Sequence, residues 1–184
     1  MPLRCTRLHD STAPAPATHE LHLVYDERVK SRLAAVCTDG TAVAILLPRG
    51  TVMRDGTLLA ADDGAVVHVV AAAQAVTRIS APTPLTLLRA VYHLANRHVP
   101  ACLAAEQVLI EPDPVLERLL QSLGARIEHL QIPFDPEPGA YHGGHSHGDP
   151  VHADPAATVG EQLSIEAHRE RLAALAAESS ERRT

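Results

Sequence analysis

Residues 75–134 read AVTRISAPTPLTLLRAVYHLANRHVPACLAAEQVLIEPDPVLERLLQSLGARIEHLQIPF, and this stretch decides the fold class. It opens on a short strand, 75–80, which Pro82 and Pro84 bring to an end. Proline is tolerated in the first turn of a helix, so the same residues open one. In that helix Leu85, Leu88, Tyr92 and Ala95 recur at helical spacing, and so do Leu87, Val91, Leu94 and His98. Two short strands follow, at 101–105 and 107–111. Asp113-Pro114 then joins an N-cap acceptor to a proline at the first helical position. Leu116, Leu119, Leu120 and Leu123 form an apolar stripe, and Gly124 sits where a glycine ends a helix. Residues 126–134 are a final strand. The order β-α-β-β-α-β is the split arrangement called ferredoxin-like, and the domain built on it is placed at 75–137.

Upstream the pattern changes to strands alone. Leu21, Leu23 and Tyr25 share one face by period-two alternation and are read as part of a strand. Asp39-Gly40, Asp55-Gly56 and Asp63-Gly64 stand near runs of Val, Leu and Ile, and such pairs suit tight hairpin turns. Residues 41–48 and 65–70 read as strands. The first region, 1–74, is therefore expected to be a small all-β domain. Downstream, 138–184 reads as a flexible tail: 135–154 is rich in Pro, Gly and His, and 160–180 has the composition of a short helix.

Across 184 residues the formal charge is −6, with both signs mixed and no basic run, which argues against nucleic acid and anionic membranes as partners. Cys5, Cys37 and Cys102 are widely spaced and form no CxxC pair, so a reducing compartment fits better than a disulfide framework or a zinc knuckle. Residues 1–11 lack the apolar core of a signal peptide, and no apolar run approaches the ~18 residues that would span a membrane. A cytosolic location is expected.

Histidine is the unusual residue. There are 12, against 16 Lys plus Arg, and His142, His145, His147 and His152 fall within eleven positions. Imidazole is a borderline ligand suited to nickel, copper and zinc. In His142-Gly-Gly-His145-Ser-His147 the small residues let the backbone fold round one ion, which suits weak, reversible holding; the alternative is a solvated polar tail. His98 reads from its spacing as a partly buried histidine at a helix C-terminus, and becomes a metal site if a twofold axis brings two copies together. His93, five positions earlier, lies on another side of the helix, and His19 and His22 fall on opposite faces of a strand. Cys102 reads as a buried strand cysteine. No phosphate loop, GxSxG elbow or HExxH motif occurs, so an enzyme is not expected.

Four stretches give the chain its resemblance to a known family. They are Leu46-Leu47-Pro48-Arg49-Gly50-Thr51 with Arg54-Asp55-Gly56; Tyr92-His93-Leu94-Ala95-Asn96-Arg97-His98; Pro133-Phe134-Asp135-Pro136-Glu137-Pro138-Gly139-Ala140-Tyr141; and the histidine tail. Together these resemble the urease accessory nickel metallochaperones, the urease accessory protein E family. The resemblance implies a peptide-binding-like β domain, a ferredoxin-like metal domain and a homodimer formed through the latter. It makes His98 the Ni(II) ligand shared between subunits, with His142, His145 and His147 completing the shell. It implies delivery to a urease apoprotein complex that contains a GTP-hydrolysing partner. Copper(II) and zinc(II) remain open as competitors, because the choice of nickel rests on the resemblance alone. The alternative is a protein-binding scaffold with an incidental metal-binding tail. Two departures stand out: Ala95 replaces the usual glycine, and Pro112 and Pro114 stand where some members carry a His-x-His pair, so a second site there is not expected.

Overall fold

A computed structural model describes residues 1–9 and 16–138. The described residues form two compact units, Met1–Val76 with Leu130–Asp135, and Thr77–His129 with 136–138. The first unit is thus not one continuous segment: residues 130–135, which the sequence assigns to the second domain, belong to it.

The first unit is built from β1 (Leu3–Leu8), β2 (His19–Leu23), a one-turn helix α1 (Tyr25–Arg28), β3 (Arg32–Val36), β4 (Ala42–Leu46), β5 (Leu58–Ala61) and β6 (Val66–Ala71). They form one six-stranded sheet in the order β2-β6-β5-β1-β4-β3. Period-two alternation sends Leu21, Leu23, Val43, Ile45, Val67 and Val69 to one face, where they form the core with Cys5, Met53 and Leu59. Two of the three Asp-Gly pairs close hairpins as expected: Asp39-Gly40 joins antiparallel β3 and β4, and Asp63-Gly64 joins β5 and β6. The glycine alone takes the left-handed conformation in each (φ 87° and 91°), while the aspartate side chain accepts the N–H two residues on. Asp55-Gly56 is a correction. It precedes β5 but closes no hairpin; Asp55 accepts from the Ala71 N–H and the Gly56 N–H donates to Val69, so this turn is tied to β6. Tyr25 is a second correction: it does not continue the strand face but starts α1, where Glu27 accepts the Val24 N–H.

That one-turn helix delivers Arg28 to the interior of the first unit. Its guanidinium donates to the Met53 carbonyl (3.0 Å), to one Asp135 oxygen (2.7 Å) and to the Phe134 carbonyl. Arg54 reaches the other Asp135 oxygen at 3.3 Å. Tyr25 meets the Phe134 ring edge-on, with centroids 5.5 Å apart. Residues 130–135 are thereby pinned to the β domain by charge and by ring packing.

The second unit carries the second half of β7 (Ala73–Ser80), then α2 (Pro84–Ala95), β8 (Ala101–Leu103), β9 (Gln107–Ile110), α3 (Pro114–Ser122) and the start of β10 (Arg126–Pro133). The four strands order as β10-β7-β9-β8. Both helix starts match the sequence reading. Thr83 accepts the Thr86 N–H ahead of Pro84, and Asp113 accepts the Val115 and Leu116 N–H groups ahead of Pro114. The core gathers Ile79, Ala90, Leu94, Val108, Ile110, Leu116 and Leu120, with Leu87 and Val91 packed against it.

Candidate functional site

Helix α2 carries two apolar stripes and the sheet covers only one of them. Ala90 and Leu94 are buried, with Leu87 and Val91 beside them. Leu85, Leu88 and Tyr92 point away and are 59%, 66% and 64% exposed. Scattered exposed leucines are ordinary, but three large apolar residues on consecutive turns of one helix face form a contiguous surface. Ala95 prolongs it, and the face ends one turn short of His98.

His98 departs from the sequence reading. It does not continue the inward stripe of Leu87, Val91 and Leu94, and it is exposed rather than partly buried. The helix closes first. The His98 N–H donates to the Ala95 carbonyl (3.0 Å) and the Val99 N–H to the Leu94 carbonyl (3.3 Å). This pair of bonds is the Schellman closure, whose turning residue is left-handed and usually glycine. Val99 packs in the same cluster as Leu94, the hydrophobic contact that accompanies such a closure. Helix α3 ends with the same two bonds, Gly124 N–H to Gln121 and Ala125 N–H to Leu120, and there the left-handed residue is a glycine at φ 90°. At the end of α2 it is His98, at φ 53°, the one non-glycine residue with positive φ among the described residues. A side chain in this region costs about 1–2 kcal/mol, and such positions cluster at functional sites. Arg97 adds a bond from its Nη1 to the His93 carbonyl (2.8 Å), satisfying one of the last helical acceptors.

The other candidates lie apart from this turn. Cys102 is buried in β8, as the sequence reading has it, and so is not displayed beside His98. Cys5 and Cys37 are buried in the first unit's core, and burial pushes the Cys5 thiol up to about 11, which disfavours the thiolate a metal would need. His19 Nδ1 lies 2.6 Å from Asp39, whose carboxyl is held down at about 2, first by the Thr41 backbone N–H and then by His19. No three His, Cys, Asp or Glu side chains converge on one point among the described residues. His142, His145 and His147, the tail and its helical stretch lie outside the described residues.

Glu117 on α3 is a structural carboxylate. It accepts from the buried Thr77 hydroxyl (2.7 Å) and lies 3.0 Å from His129 Nε2. The Thr77 bond, then His129, hold its carboxyl below the usual glutamate range. A lowered folded-state pKa gives stability that is present above the unfolded value and lost as pH falls through the folded one. Glu117→Gln keeps an acceptor for Thr77 but cannot titrate. The acid limb of urea midpoint against pH should therefore be shallower in Glu117→Gln than in wild type. Superimposable acid limbs would show that Glu117 contributes nothing to it.

Comparison with known proteins agrees with this two-unit organisation. The N-terminal domain model of the UreE urease accessory protein matches residues 4–72, and the C-terminal domain model matches residues 74–168. The chain belongs to the UreE urease accessory protein family. Curated UreE relatives include the urease accessory protein UreE of Burkholderia lata, 54% identical over 128 residues, which cover 70% of this chain and 62% of the relative. That of Burkholderia pseudomallei strain 1710b is 56% identical over 136 residues, covering 74% and 66%. The Burkholderia thailandensis UreE is 54% identical over 138 residues, covering 75% and 65%. The matched part thus spans slightly less than two thirds of these UreE proteins' length. UreE is a family of accessory proteins and not of enzymes, in line with the missing catalytic motifs. Among the described residues no helix is long and apolar enough to cross a membrane.

Proposed function

We propose that this chain is a nickel metallochaperone of urease maturation. It acts as a homodimer that holds one Ni(II) between two copies of His98 and delivers it to a urease activation complex containing a GTP-hydrolysing partner. The observation that carries the reading is the imidazole at φ 53° where a helix closure calls for glycine. A residue selected only for the turn would be glycine, as in α3; a histidine kept there against its backbone preference is explained by what its ring binds. The outward stripe of Leu85, Leu88 and Tyr92 supplies a self-complementary surface for a twofold partner and leads to the His98 end of the helix. The second unit is read as a ferredoxin-like domain, on its element order and the β10-β7-β9-β8 sheet. His142, His145 and His147 close the shell from the tail and leave one at a time on transfer. Zinc(II) and copper(II) compete for the same imidazoles. The site of action is the cytoplasm.

Calorimetric nickel titration with sedimentation on the same samples tests this. The intact chain, His98→Ala, Leu88→Glu and a chain ending at Tyr141 are compared. The expected result is one tight nickel per dimer, lost in His98→Ala while the dimer persists, and lost in Leu88→Glu together with the dimer. The truncation should weaken the tight site without abolishing it. Affinity should fall between about pH 7.5 and 5.5, as protons compete for imidazole nitrogens. A tightest site that survives His98→Ala unchanged would reduce the protein to a scaffold with a loose metal-binding tail.

A further inference from the structure

The first unit carries a second set of metal-type donors that the His98 reading does not use. Strands β2 and β6 run parallel, with Glu20 opposite His68, Leu21 opposite Val69 and His22 opposite Val70. Leu21, Val67 and Val69 face the core and are fully buried. Alternation then sends Glu20, His22 and His68 to the other face. Glu20 and His22 are exposed and His68 is half-buried there. Glu20 Oε1 lies 2.5 Å from His22 Nε2, so a carboxylate and an imidazole two residues apart on one strand already sit within hydrogen-bond reach of each other. His68 is the direct cross-strand neighbour of that carboxylate, about 4.8 Å away between backbones.

We propose that Glu20, His22 and His68 form a binding site for a divalent transition-metal ion that accepts nitrogen and oxygen ligands. Two donors from one strand and a third from its neighbour cap one side of an ion, leaving its other positions to water. The ion displaces the proton between Glu20 and His22 and draws the two atoms apart until each lies about 2.0–2.2 Å from it. The third ligand arrives by rotation of the His68 side chain between staggered rotamers. Two donors are preset and one is recruited, so this site binds more weakly than a preassembled one. It needs no dimer and does not rest on the nickel-carrier reading.

The test is a Zn²⁺ titration of the full chain, followed through imidazole C–H resonances assigned with single His→Gln variants. The His22 and His68 signals should move together with one apparent affinity. His19 is an internal control: it is on the same strand but the opposite face, with its ring held by Asp39, and its signal should stay in place. Glu20→Gln and His68→Gln should each weaken the His22 response by at least the roughly tenfold that loss of even an outer partner of a ligand costs. All three side chains project from the outer face, so unchanged melting of the variants checks that the fold is intact. His22 and His68 signals that remain still while other histidines saturate would overturn the proposal. So would a His22 shift whose affinity is the same in wild type, Glu20→Gln and His68→Gln, since that marks a lone imidazole. The His98 signal in the same spectra reports separately on the carrier site.

Discussion

Asp135→Ala should destabilise the first unit by about 3–5 kcal/mol, the range for removing one partner of a buried ion pair. Arg28 is fully buried and Asp135 is 4% exposed. With the carboxylate gone, the guanidinium keeps its bonds to the Met53 and Phe134 carbonyls but loses the one compensating charge that touches it. Arg28 Nε already has no hydrogen-bond partner among the described residues, and the Tyr25 ring, 5.5 Å from the guanidinium carbon, offers no full negative charge. Arg54 worsens the situation, because its own attraction to Asp135 across 3.3 Å becomes repulsion from an unbalanced Arg28. The double replacement Arg28→Met with Asp135→Leu removes both charges, and a buried pair exchanged for apolar residues of similar size is often close to neutral. Urea denaturation of the two singles and the double gives the coupling directly. A cost under about 1 kcal/mol for Asp135→Ala would mean that solvent reaches Arg28 and that this pair does not hold residues 130–135 in place.

His98→Gly should move stability and nickel binding in opposite directions. Glycine relieves the left-handed strain, so the second unit should gain about 1 kcal/mol. For a domain of this size that is a melting increase of about 4–8 °C. His98→Ala has no such gain, since alanine keeps a Cβ at positive φ. Nickel affinity should collapse equally in both variants. Each removes an imidazole from both subunits, and two lost ligands exceed the roughly 10- to 100-fold penalty of losing an outer partner. The ranking glycine above histidine in stability, with glycine and alanine alike in metal binding, separates a ligand from a structural turn residue. A His98→Gly protein that melts lower than wild type would show that the imidazole stabilises the turn and that its conformation has another cause.

Helix starts were legible because their signals are local: Pro84 opens α2, and Asp113 caps α3 just before Pro114, while the Thr83 cap of α2 went unread. The end of α3 was legible for the same reason, through Gly124. The end of α2 was not, because the residue that betrays a closure had been replaced by a histidine. With no glycine in view, the spacing of Leu87, Val91 and Leu94 ran on to His98. Val99 before Pro100 was the remaining sign, since a residue ahead of proline is steered out of the helix. The two stripes of α2 could not be ranked either, since both are apolar and only the sheet decides which is covered. The sequence named His98 largely through family resemblance; the left-handed backbone supplies a physical reason that the sequence lacks. Arg28 lay beyond reach altogether, because its partner is 107 positions away and its helix is one turn long.

The return of residues 130–135 to the first unit bears on how the protein is made. Domains usually fold from the N-terminus as they leave the ribosome. Here Arg28 is synthesised early, and the carboxylate that neutralises it emerges only after the whole of Thr77–His129. The β sheet can pair its strands beforehand, but its interior lacks the partner of Arg28 until Thr77–His129 has been translated. The first domain to begin folding therefore cannot close until most of the second has emerged, and a chain whose synthesis stops before Asp135 leaves Arg28 without its carboxylate.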